Sequence, residues 1–266
     1  MESSILSTRE LRRYKKQIML PEIGVDGQNK IRQSKVLVVG AGGLGCPVLQ
    51  YLAAAGIGKI GIIEFDMVDE SNLQRQVLYG SSDVGKLKSI IAKNRLEQLS
   101  LKGEIEIFNL RLGVSNALRI LNDFDIIVDA TDNLDTRYLI NDSCVILGKP
   151  MVHGAIFKYE GMVSVFNFLG GATYRCYNPH PGGKSFRNPP PAEVGLFGVL
   201  PGIIGTYMAN EVIKVITGSG LVLTNKLLLI NIFYNTFRTF NVNNIPENHN
   251  IKDLNYLINQ NQELLQ

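Results

Sequence analysis

The chain has 266 residues, enough for one large α/β domain, and a chain of this length buries about 70–75% of its extended surface, so it needs neither metal nor disulfide to fold. Hydrophobic residues at 45% and charged residues at 19% exclude a disordered chain, and a formal net charge of +3 is too weak to announce a nucleic-acid partner. Three scattered cysteines exclude a disulfide scaffold, and the absence of a leader or of a run of about 18 apolar residues leaves the expectation of a cytoplasmic globular protein with no membrane partner.

Ser7-Thr8-Arg9-Glu10 has the form of a capping box, and Leu11, Tyr14 and Ile18 share a helical spacing, so residues 8–19 read as a short amphipathic helix with Arg12, Arg13, Lys15 and Lys16 on its other face. Val36 to Val39 is a β-branched run typical of a strand buried on both sides. A glycine turn follows at 40–45, then a helix to about Ala55 and a second apolar run, Ile60 to Ile63, which together make a βαβ unit. The alternation continues with a helix near 86–99, a strand near 104–109, a helix near 115–121, a strand at 125–129 and a helix near 134–147. Further strands are predicted at Met151–His153 and Met162–Phe166. The fold class expected is α/β, a doubly wound Rossmann-like mostly parallel sheet with a C-terminal antiparallel extension.

The chain divides into an N-terminal helix and nucleotide-binding core (1–168), a Gly- and Pro-rich mobile crossover loop (169–192), a C-terminal helix and hairpin that complete the same domain (193–245), and a polar tail (246–266). The helix is expected from about Gly198 to Ile216 and the hairpin from Lys226–Asn231 and Phe237–Val242.

Gly40, Gly42 and Gly45 fit G-x-G-x-x-G between a strand and a helix, where a tight turn and free amides at a helix N-terminus receive phosphate. Glu64 closes the second strand, 24 residues past Gly40, at the position suited to ribose hydroxyls. A nicotinamide dehydrogenase would share all of this. The next segments separate the two: Asp69 to Gln76 is densely polar, Lys88 follows 13 residues after Arg75, and Asp132 stands past the strand at 125–129. Fixed cations suit a polyphosphate with a leaving group, and a carboxylate facing phosphates is a natural Mg²⁺ ligand.

At these residues the chain resembles the HesA/MoeB/ThiF family, bacterial relatives of ubiquitin-activating enzymes. The resemblance is carried by Gly40-Ala41-Gly42-Gly43-Leu44-Gly45-Cys46, Asn72-Leu73-Gln74-Arg75-Gln76, Gly85-Lys86-Leu87-Lys88 and Thr131-Asp132-Asn133, with Arg13-Tyr14 to Gln17 and Gly198 to Gly202 at either end. It implies adenylation: the C-terminal Gly-Gly carboxylate of a ubiquitin-like sulfur carrier, MoaD- or ThiS-like, attacks the α-phosphate of ATP and pyrophosphate leaves. By the same resemblance Gly40, Gly42, Gly43 and Gly45 hold phosphate and adenosine, and Glu64 and Asp66 hold the ribose. Asn72, Arg75, Gln76, Lys88 and Asn133 belong to the nucleotide site, Asp132 binds Mg²⁺, and the opening helix reaches a second subunit's ATP, so a homodimer is expected.

Three departures shape that expectation. Lys16 stands where many relatives carry an arginine finger, keeping the charge without the bidentate fork. Of the two Cys-x-x-Cys pairs that hold zinc in many relatives only Cys176 is present, with Thr173 in place of its partner, so no structural zinc is expected. Pro191 replaces the cysteine that forms a covalent link to the carrier in some relatives, so adenylation without an enzyme thioester is expected, with a separate sulfurtransferase supplying sulfur. Alternatives are adenylation of another peptide C-terminus, a non-catalytic carrier-binding module, and, more distantly, an NAD-dependent oxidoreductase. The last would need a catalytic pair around His153 or His180, and neither has an evident partner; His153 reads as a satisfied buried histidine.

Overall fold

A computed structural model of the chain describes residues 6–179 and 195–254. Its sheet has eight strands in the order β3-β2-β1-β4-β5-β6-β7-β8. The first five are β1 (Lys35–Val39), β2 (Lys59–Ile63), β3 (Glu104–Phe108), β4 (Ile126–Asp129) and β5 (Met151–Phe157), and they pair in parallel. The last three, β6 (Glu160–Phe166), β7 (Lys226–Asn231) and β8 (Thr236–Asn241), continue the sheet antiparallel. The doubly wound part therefore ends with β5, and the Met162–Phe166 strand belongs to the antiparallel extension.

Why β1 reads as an unbroken apolar run is visible in its packing. Val36 and Val38 face one core, with α4 (Gly45–Ala55), α5 (Lys88–Leu99) and α9 (Leu200–Thr217), while Leu37 and Val39 face the other, with α6 (Ala117–Asn122) and α7 (Leu134–Leu147). Alternate side chains of one strand feed opposite layers.

The opening segment differs from a single helix over 8–19. The capping box forms, with Ser7 N donating to Glu10 Oε2 at 2.8 Å, but the segment splits at Tyr14 into α1 (Thr8–Arg13) and α2 (Lys15–Ile18). Tyr14 is buried because its ring lies against Gly56 at the end of α4. Helix α3 (Gly24–Gln33) was not anticipated; its mean hydropathy is low and it has no side-chain N-cap. Within the expected crossover loop, residues 172–174 are buried and Tyr174 opens α8 (Tyr174–Tyr177), whereas residues 180–194 lie outside the described residues. Among the described residues, no helix is long and apolar enough to cross a membrane.

Candidate active site

The winding direction reverses between β1 and β4, and ligands of open α/β sheets bind at the strand C-termini beside such a reversal. Gly40 follows β1 with φ +95°, a left-handed value open to glycine, and a Cβ on it would stand 2.8 Å from Ala130 O. A Cβ on Gly45 would overlap Gly40 O. Gly42 is different: the nearest atom to its added Cβ would be Gln76 Nε2, at 3.5 Å. Two glycines thus let the backbone fold onto itself, and the one between them leaves space for a ligand.

Glu64 holds this turn. Its Oε2 accepts from Ala41 N at 3.0 Å, and its Oε1 from Phe65 N and Asp66 N at 2.9 Å each. Tyr79 fastens the other side by donating to Ala41 O at 2.8 Å. Sequence patterning gave no sign of Tyr79, because Val77-Leu78-Tyr79 before Gly80 is too short a run to show a period. Cys46 is fully buried, and burial pushes its thiol up to about 12, against the opposing hydrogen bond from the Leu78 backbone and the charge of Lys88.

The cations arrive on two clasped segments. Val68 N donates to Lys86 O at 2.8 Å and Gly85 N to Val68 O at 2.9 Å, which brings Lys88, at the start of α5, to Asp66. Lys88 is 4% exposed, and its Nζ lies 3.3 Å from Asp66 Oδ2. The single helical turn Glu70–Asn72 carries Asn72, whose Oδ1 accepts from Gln76 Nε2 at 2.7 Å. Arg75 Nη1 donates to Ser71 O at 3.1 Å, and its Cγ lies near Gly43. Gln76 is 4% exposed, with its Oε1 lacking a hydrogen-bond partner among the described residues. Gly198 packs on Gln74 and Pro201 on Gly43, so the start of α9 braces both segments.

Beyond β4, Asp132 is exposed, and Asn133 caps α7 by accepting from Thr136 N at 2.9 Å. The turn from Ala130 to Thr131 rests on Gly40, so Asp132 shares the crevice mouth with the glycine turn. The structure therefore gathers Gly40, Gly42, Gly43, Gly45, Glu64, Asp66, Asn72, Arg75, Gln76, Lys88, Asp132 and Asn133 around one strand-end crevice. Lys16 is not brought there. Its neighbour Gln17 donates to Gln28 Oε1 at 2.7 Å, and Gln28 donates to Ala55 O at 3.0 Å, at the far end of α4. An 11-residue helix is about 16 Å long.

Residues at the position of a family zinc do not fit one. Cys176 Sγ lies 3.4 Å from Thr173 Oγ1, 3.4 Å from Ile245 N and 3.6 Å from Asn248 Nδ2, and His249 is engaged with Asn244. One thiol among amide and hydroxyl donors is not a tetrahedral thiolate set. Burial alone would raise this thiol, but the surrounding hydrogen bonds outweigh it and hold the group below its usual range. Among the described residues no three His, Cys, Asp or Glu side chains cluster as metal ligands.

Fold and crevice together define a Rossmann-type α/β protein with a glycine turn at the strand ends and cationic side chains set around it. The chain belongs to the ThiF family, whose model matches residues 14–251. It is 46% identical over 248 residues to a sulfur carrier protein adenylyltransferase of Thermus thermophilus, covering 89% of each chain. A probable molybdopterin-synthase adenylyltransferase of Porphyra purpurea is 46% identical over 89% of this chain, and a probable adenylyltransferase/sulfurtransferase, MoeZ, of Mycobacterium tuberculosis is 42% identical over 95%. This chain spans 62% and 65% of those two proteins. The fold is that of E. coli MccB, with a TM-score of 0.78 at 24% identity over 92% of this chain and 75% of that one.

Proposed function

We propose that this chain is an adenylyltransferase that uses ATP to activate the C-terminal Gly-Gly carboxylate of a ubiquitin-like sulfur carrier in the cytoplasm. The observation that carries the reading is the buried Lys88 ammonium beside the glycine turn, joined there by Arg75 and Asp132. A hydride-transferring enzyme has no use for such a set, whereas charge growing on a pentacoordinate phosphorus needs preorganised cations. The adenylyltransferase relatives support the same reaction class.

The carrier's carboxylate oxygen forms a bond to the α-phosphorus, the bond from that phosphorus to the bridging oxygen breaks, and its electron pair leaves with pyrophosphate. No proton need move, because the attacking carboxylate is already ionised. Gly42 admits the phosphates to the helix N-terminus, Lys88 and Arg75 meet the developing charge, and Glu64 and Asp66 serve the ribose side. Asp132 would hold Mg²⁺, which neutralises phosphate charge when bound. Pro191 and the buried, raised thiols of Cys46 and Cys144 support adenylation without an enzyme thioester, leaving sulfur to a separate sulfurtransferase. Lys16 acts, in this reading, on the site of a partner copy.

ATP–pyrophosphate exchange with purified chain, Mg²⁺ and each candidate carrier tests this. Exchange should require one carrier, and Lys88→Ala or Arg75→Ala should lower it by about a hundredfold or more. ATP binding without exchange for any carrier would remove the proposal and favour a binding module.

A further inference from the structure

Asp129 ends β4, and His153 is its register partner on β5, so the two side chains stand beside each other on one face of the sheet. Both are fully buried. His153 Nδ1 donates to Asp129 Oδ2 at 2.7 Å. The other carboxylate oxygen, Oδ1, accepts from Thr131 N at 3.0 Å and from the Thr131 hydroxyl at 2.6 Å. From α7, Arg137 Nη2 donates to Thr131 O at 2.9 Å, while its Nε stands 4.0 Å from Asp129 Oδ2. Asp132 is the next residue along this turn.

Packing alone does not account for a histidine at this position. Its ring lies 5.0 Å from that of Tyr174 and 5.9 Å from that of Phe166, surroundings that an apolar side chain would fill. Its Nε2 is buried with no hydrogen-bond partner among the described residues, a loss that an apolar residue would avoid. What an apolar residue would lack is the Nδ1 donor. Without it, Asp129 Oδ2 would be left in the core with only a guanidinium nitrogen at 4.0 Å, and the carboxylate could turn away from Thr131. A charge-assisted hydrogen bond of this length fixes the rotamer of its acceptor.

We infer that His153 is a positioning residue: its Nδ1 locks the Asp129 carboxylate, Asp129 fixes Thr131, and the turn so held sets where Asp132 meets the metal–nucleotide. The inference rests on Asp132 serving as the metal-binding carboxylate of an adenylyltransferase, and it deepens that reading by adding a residue outside the crevice.

The test compares wild type with His153→Ala, His153→Asn and Thr131→Val. An asparagine Nδ2 occupies the place of the imidazole Nδ1, and valine keeps the threonine shape without its hydroxyl. Two readouts are used: backbone amide exchange of residues 130–133 in the unliganded protein, and the Mg²⁺ midpoint of ATP–pyrophosphate exchange. His153→Ala should speed amide exchange about tenfold and raise the Mg²⁺ midpoint about fivefold, with a smaller change in the ATP midpoint. His153→Asn should restore both to within about twofold, and Thr131→Val should reproduce part of each shift. An asparagine variant as impaired as alanine would overturn the inference, as would an alanine variant with unchanged turn exchange and Mg²⁺ midpoint. Should His153→Ala fail to fold, Thr131→Val decides: unchanged readouts there overturn it. A wild type inactive with every carrier would sink the functional reading instead, while amide exchange would still decide whether His153 holds the turn.

Discussion

Gly42 and Gly45 are three residues apart and answer different demands. A methyl on Gly45 would overlap Gly40 O, so Gly45→Ala should disrupt the turn and lower the melting temperature measurably. A methyl on Gly42 meets nothing closer than 3.5 Å, so Gly42→Ala should fold normally and lose ATP affinity, as equilibrium dialysis would show. Equal affinity in Gly42→Ala would move the phosphates elsewhere. His153 carries a second residue-scale prediction. Burial lowers its pKa, against the opposing Asp129 hydrogen bond, so below about pH 6.5 the unfolded chain takes up a proton that the folded chain refuses. Its contribution is therefore full above that pH and lost as pH falls, and His153→Asn should flatten urea-measured stability between about pH 6.5 and 5. Asp129 adds to this lower down. Burial alone would raise its pKa, but the His153 hydrogen bond together with Arg137 and Thr131 lowers it, so its stabilisation is lost in stronger acid. That the glycines and Lys88 meet at one strand-end crevice was legible, because a glycine turn between strand and helix and a lysine opening the next helix have fixed places in this fold. The Asp129–His153 pair was not, because register between strands 24 residues apart leaves no local pattern.

Elements were legible where one period ran uninterrupted. The first four parallel strands and α4, α5, α7 and α9 stand within two residues of expectation, since each buries a face or a whole surface, whereas β5 runs on to Phe157, four residues past the expected end. The opening helix broke at Tyr14 because that ring is drawn onto Gly56, a tertiary contact invisible to periodicity. Helix α3 escaped notice for a related reason: its buried Gly27, Gln28 and Ile31 make too narrow an apolar stripe. The join between residues 173–176 and 245–248 depends on hydrogen bonds to the Cys176 sulfur. Asn248→Ala should lower the melting temperature by a few degrees, consistent with roughly 1 kcal/mol for one lost hydrogen bond. A strong chelator should leave the wild-type melting temperature unchanged; a fall on chelation, with one zinc per chain by elemental analysis, would contradict the metal-free account of this corner.

At the scale of the whole molecule, the crevice lies at the strand C-termini while Lys16 sits near the opposite end of α4. If Lys16 completes a partner's site, Lys16→Ala and Lys88→Ala chains should complement each other when mixed. Half of randomly re-paired dimers are mixed and each has one intact site, so about a quarter of wild-type exchange activity should return. Mixtures no more active than their parents would leave Lys16 outside the reaction. The central claim concerns the bond made to the carrier, and intact-mass spectrometry of carrier and enzyme after incubation with ATP and Mg²⁺ reads it directly. One AMP should appear on the carrier's terminal glycine, with no covalent enzyme–carrier species. A carrier of unchanged mass in the presence of bound ATP, or a covalent enzyme adduct, would contradict it.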